Sequence, residues 1–86
     1  MLEGTTKSGF NFKVADESLN DFELIEVLSE VDVNPLLLPR LVKMLLGDEQ
    51  KKALMDHLRT EKGNVPLDAM SDEIMEIFQT GNLKNS

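Results

Sequence analysis

The sequence predicts a mainly α-helical domain of about four helices preceded by an N-terminal β-hairpin. Three observations carry that class. Apolar residues recur at helical spacing in two separate stretches, Leu24 to Val31 and Leu67 to Phe78. The short run Phe10-Asn11-Phe12-Lys13-Val14 alternates with a period of two. Asn, Asp, Pro and Gly punctuate the chain where helices should start and stop. The 86 residues read as a single domain, with the hairpin in 1–15, the helical part in 20–80 and a fraying tail in 82–86.

In the hairpin, Phe10, Phe12 and Val14 fall on one face and Asn11 and Lys13 on the other. Ser8-Gly9 supplies turn chemistry between this run and Thr5-Thr6-Lys7. Two strands are barely stable alone. Phe10 and Phe12 must therefore pack on the helices, or the hairpin must pair along an open edge with another copy of itself.

Ala15 to Ser18 is a polar approach to the first helix, with Asn20 the expected cap and Asp21 and Glu23 suited to the positive end of the helix dipole. Leu24, Ile25, Val27, Leu28 and Val31 form its apolar stripe, opposite Glu23, Glu26, Ser29 and Glu30. Phe22 lies off that stripe, placed to reach back to the hairpin. Asp32-Val33-Asn34 is too short for anything but a corner, so the next helix turns back on the first.

Asn34-Pro35 begins and Gly47 ends the most apolar stretch of the chain. At about 100° per residue, Leu37, Leu38, Leu41, Val42, Met44, Leu45 and Leu46 cover about 200° of the helix surface, where a one-sided core helix covers little over about 100°. Arg40 and Lys43 keep its polar side. Pro39 either interrupts a helix begun at Pro35 or is itself the first residue of one capped by Leu38. A helix this apolar is buried between neighbours of its own domain or offered in part to another chain.

Asp48 is an N-cap for a third helix, Glu49 to Arg59, whose apolar face is thin: Ala53, Leu54, Met55 and Leu58. Lys62-Gly63-Asn64 ends it, and Val65-Pro66 opens the last segment, with Leu67, Met70, Ile74, Ile77 and Phe78 at helical spacing. Ser71 is expected as a second cap within that segment and Gly81 as its stop, with Asp72, Glu73 and Glu76 facing outward.

The apolar fraction of 41% beside 29% charged residues is that of a soluble globular protein. No apolar run approaches the roughly 18 residues of a membrane span. Glu3 and Lys7 stand where a signal peptide needs its apolar core, so a cytoplasmic protein is expected. Without cysteine there is no disulfide, thiolate nucleophile or thiolate zinc site. A net charge of −7 repels nucleic acid and anionic lipid, and four Phe with no Trp or Tyr give no stacking platform for single strands. Neither nucleic acid nor membrane is expected as a partner. Five Met suit either an ordinary core or a surface that adapts to its partner.

Catalytic patterns are missing from the sequence. His57 follows Asp56 on a charged helix, where neighbours point about 100° apart, and reads as a surface histidine. Asp32-Val33-Asn34 runs into Pro35 and three leucines where a calcium loop needs oxygen ligands and glycine. No glycine-rich phosphate loop or nucleophile elbow is present. The expectation is a protein that is not an enzyme and uses no metal or cofactor.

A domain of this length buries only about 60–65% of the surface of its unfolded chain. The apolar girth of the central helix, with a hairpin edge, exceeds what so small a monomer hides, and a homo-oligomer is expected. Leu37, Leu38, Leu41, Met44 and Leu45 are the candidate partner-binding or self-association surface, and Phe10 and Phe12 the hairpin packing or edge residues.

Two resemblances bear on function. Ser18-Leu19-Asn20-Asp21-Phe22-Glu23-Leu24 resembles the phosphopantetheine-serine stretch of acyl carrier proteins, which implies modification at Ser18. It departs from that family at Glu17, where Asp is usual, and in having a hairpin where the family has a long first helix. The fuller resemblance is to the small tail assembly chaperones of long-tailed phages of Gram-positive bacteria. It rests on the order of four pieces: Lys7-Ser8-Gly9-Phe10-Asn11-Phe12, the acidic stretch Asn20 to Asp32, the link Asn34 to Gln50 and the ending Gly63 to Phe78. Together they cover about residues 5–79. The resemblance implies a protein of the host cytoplasm, absent from the mature virion, that keeps the hydrophobic helices of the tape measure protein soluble until tail tube subunits polymerise around them. Other tail proteins are further partners it suggests. A third reading, from charge alone, is an acidic regulatory adaptor masking a basic partner.

Overall fold

The structure is a computed structural model that describes the backbone of residues 1–85 and the side chains of residues 1–80. It is mainly helical, with four helices behind an N-terminal two-stranded antiparallel hairpin, as the sequence predicts.

Strands β1 (Leu2–Thr5) and β2 (Asn11–Val14) pair with Leu2 opposite Val14 and Thr5 opposite Asn11. The Gly9 N–H donates to the Thr6 carbonyl at 2.9 Å, and Gly9 takes φ of +95°, the left-handed residue a short hairpin loop requires. Alternation then sends Phe10, Phe12 and Val14 into the core and leaves Asn11 and Lys13 in solvent. Phe10 and Phe12 thus pack against the helices. Gly4 lies beneath the Phe12 ring, where an added Cβ would come within 2.9 Å of the ring's tip.

The polar approach is itself a one-turn helix, α1 (Asp16–Leu19), starting from an uncapped Ala15. The cap of α2 (Phe22–Val31) is Asp21 and not Asn20: its carboxylate accepts the Glu23 N–H at 2.9 Å. Asn20 instead closes α1, bonding the Asp16 carbonyl at 3.0 Å. Leu24 and Val27 are buried and Leu28 and Val31 half-buried, while Ile25 stays exposed. Phe22 does not reach the hairpin; it is 79% exposed.

Both prolines of the link begin something. Pro35–Leu37 is a 3-10 turn, and α3 (Leu38–Leu58) follows with Leu37 as its N-cap and Pro39 in its first turn, where the missing N–H costs nothing. At Gly47 (φ +79°, ψ 171°) α3 breaks, so the expected exit there divides one element into two halves. Helix α3 as a whole packs against α2, β2 and α4. Leu38, Leu41, Val42, Leu45 and Leu46 are all at most 6% exposed. The wide apolar girth thus belongs to a helix buried over most of its leucines, with Arg40 and Lys43 left in solvent.

The second half buries Leu54 and ends at Leu58. The connection closes with Thr60 N–H on the Asn64 carbonyl at 2.7 Å and Arg59 on the Gly63 carbonyl at 2.7 Å. Helix α4 (Leu67–Asn85) opens after Pro66, whose carbonyl takes the Met70 N–H at 3.1 Å. It passes through Ser71 without a second cap. Met70, Ile74, Ile77 and Phe78 complete the core. The helix does not stop at Gly81 as expected but continues to Asn85, so of the tail 82–86 only Ser86 lies outside the described backbone.

Candidate functional site

Of the candidate surface residues, Leu38, Leu41 and Leu45 are 4%, 1% and 2% exposed and belong to the protomer's own core. Leu37 and Met44 are half-buried at its margin. The expected surface is therefore corrected: Leu38, Leu41 and Leu45 are members of the protomer's own buried cluster. Among the described residues the large apolar side chains that remain exposed lie elsewhere, on Met1, Phe22, Ile25, Val33, Leu36, Leu67 and Met75.

A groove takes the place of that surface. It encloses about 220 Å³ and is walled by Leu38, Pro39 and Val42 from the first half of α3, Lys51 and Met55 from the second half, Val65, and Leu67 and Met70 of α4. In a straight helix Leu38 and Lys51 would stand about 20 Å apart along the axis. The break at Gly47 brings them to one space. A second cleft of about 270 Å³ shares Leu38 and Leu67 with it and is otherwise lined by Val31, Asp32, Pro35, Asp68 and Ser71. Lys51 is the one charged residue lining the first, and Asp32 and Asp68 line the second. Leu67 forms part of both walls and is 57% exposed. Two methionines on the floor give it side chains that refit to different occupants.

One polar cluster has the residue types of a hydrolase. The Ser8 hydroxyl lies 3.1 Å from His57 Nε2 and donates to Glu73 Oε1 at 2.9 Å, and the Thr6 hydroxyl donates to the same oxygen at 2.7 Å. The connectivity is wrong for catalysis. A serine nucleophile needs imidazole between the hydroxyl and the carboxylate. Here the carboxylate binds the hydroxyl directly, and His57 Nε2 also faces the Ser8 carbonyl at 3.1 Å, an acceptor that calls for a proton on that nitrogen. The cluster is a clamp holding the hairpin turn to α3 and α4, reinforced by the Lys7 N–H on Glu76 at 2.8 Å and by the His57 ring tilted over Phe10 at 5.7 Å. Glu73, expected to face outward, is 5% exposed.

His57 itself is exposed, and Asp56 bonds Arg59 at 3.3 Å instead. Ser18 is half-buried in α1, its N–H on the Ala15 carbonyl at 3.0 Å. No group of three or more metal-ligating side chains occurs among the described residues. Among them no helix is long and apolar enough to cross a membrane. Comparison with known protein families, curated proteins and solved structures finds no match to this chain.

Proposed function

We propose that this chain is a non-enzymatic phage tail assembly chaperone, binding the hydrophobic helices of a tape measure protein and keeping them soluble until tail tube polymerisation. The order of sequence pieces described above suggests the family, and one structural observation supports the activity: the apolar groove lined by Leu38, Met55, Leu67 and Met70. A groove of this kind receives the i, i+3, i+4, i+7 stripe of an amphipathic helix. The acidic, exposed face of α2, with Glu23, Glu26 and Glu30, keeps loaded copies apart by like charge. Several copies along one long client then hold it through avidity, each contact being weak. On this reading the protein works in the host cytoplasm, needs no cofactor and leaves before the virion is complete.

The test is co-expression of the chain with tape measure fragments. Wild type should hold the fragments soluble and co-purify with them. Leu67→Asp, a change on an exposed wall at the start of α4 where a carboxylate favours the helix dipole, should lose the client with unaltered circular dichroism. Equal co-purification by wild type and this variant would overturn the groove assignment. Retention should survive high salt, since salt does not weaken apolar burial. Release by salt would instead favour the acidic adaptor, and a phosphopantetheinyl mass gain on Ser18 the carrier protein.

A further inference from the structure

The two edges of the hairpin differ. Lys13 turns both its main-chain groups away from β1 and onto the Gln50 side chain: its N–H donates to Oε1 at 2.8 Å and its carbonyl accepts from Nε2 at 2.6 Å. One amide thus takes the place of a neighbouring strand and closes the β2 edge. Residues opposite each other in an antiparallel pair are either bonded to one another or both turned outward. Glu3 is opposite Lys13 and Thr5 opposite Asn11, so Glu3 and Thr5 direct their N–H and carbonyl groups outward from β1. Among the described residues nothing bonds these groups, and both residues are exposed.

We infer that β1 is a pairing edge for β1 of a second copy, antiparallel about a two-fold axis at Gly4, giving a four-stranded sheet across the dimer. The inference is independent of the tail-assembly reading. In this register Glu3 bonds Thr5 of the second copy and Thr5 bonds its Glu3, about four main-chain bonds in all. The register centred on Glu3 sets two carboxylates directly opposite, which is unfavourable. The register centred on Thr5 leaves Glu3 opposite the turn residue Lys7 and forms about half as many bonds. The charge pattern of the strand thus selects one arrangement. Gly4 at the axis carries no side chain to obstruct it, and the solvent-face residue beside each Glu3 is a hydroxyl. A second copy meets this pattern by symmetry, which makes the contact isologous and self-limiting.

The full chain has no cysteine, which allows a clean test. Paired residues in such a bonded position lie about 5.5 Å apart at Cα, within disulfide range. Oxidised Glu3→Cys/Thr5→Cys should run as a covalent dimer, and Glu3→Cys alone should stay monomeric. Thr5→Pro deletes an outward N–H and no main-chain bond between β1 and β2, losing within the hairpin only the exposed Thr5 hydroxyl bond to Asn11 Oδ1 at 2.6 Å, so its far-UV spectrum should match wild type while the dimer dissociation constant in sedimentation equilibrium rises at least about tenfold. Wild type sedimenting as a monomer at millimolar concentration would overturn the proposal. So would efficient cross-linking of Glu3→Cys alone, or Thr5→Pro dimerising as tightly as wild type.

Discussion

Glu73 sits at i+3 from Met70 and one residue before Ile74, in the middle of the buried stripe of α4, with its carboxylate on two hydroxyls from the hairpin turn. Replacing it by Leu leaves the Thr6 hydroxyl without its acceptor in a buried position, and a loss of about 1–3 kcal/mol in urea denaturation is expected. Its spacing already marked it as an inward position; acidic residue type argued the other way and was the weaker signal, because residue type cannot show which hydroxyls fold brings near. Gly4 offers the complementary case of a residue whose role is to be small. Gly4→Val should cost about 1–3 kcal/mol, since Phe12 must leave its place over the strand. Nothing in the sequence pairs those two residues until the register of the hairpin is known.

At the level of elements, α3 is where sequence pattern and structure meet most closely and then part. Its apolar composition, its proline start and its glycine break are all legible in the order Pro35, Pro39, Gly47. Which neighbours cover it is not, because one helix's periodicity gives the width of its apolar face and says nothing of how many elements pack there. Leu41→Ala, at 1% exposure, should destabilise by about 2–5 kcal/mol, the range for a core cavity, where a residue of a client surface would cost little. Gly47→Ala should cost about 1–3 kcal/mol although open space surrounds the new methyl, because φ of +79° with ψ of 171° is held at the expense of any residue bearing a Cβ. Both are measured by equilibrium unfolding. The Gly47 variant should also weaken client retention, as the groove walls are set by the angle between the two halves of α3.

For the molecule as a whole, a Cα radius of gyration of 12.3 Å compares with about 12 Å for a compact chain of this length. The chain closes around its own leucines, and the apolar surface still exposed is scattered over Met1, Phe22, Ile25, Val33, Leu36 and Met75, with Leu67 at the rim of a groove. Composition predicts surplus apolar area on the central helix, where the structure instead buries Leu38, Leu41 and Leu45. The net charge of −7 acts on the same whole: moderate salt screens self-repulsion, so the urea midpoint should rise between low and physiological ionic strength. The five ion pairs among the described residues are solvent-exposed and oppose that trend only weakly.

The clamp between Ser8 and Glu73 spans 65 positions. A ribosome adding about 5–20 residues per second needs about 3–13 s to travel that distance, and the exit tunnel delays the last helix further. Throughout that interval the hairpin turn lacks its anchor on α4, while α3, made earlier, already offers His57 to Phe10. Premature termination before codon 73 therefore yields a chain that cannot close, a ready substrate for cellular proteolysis.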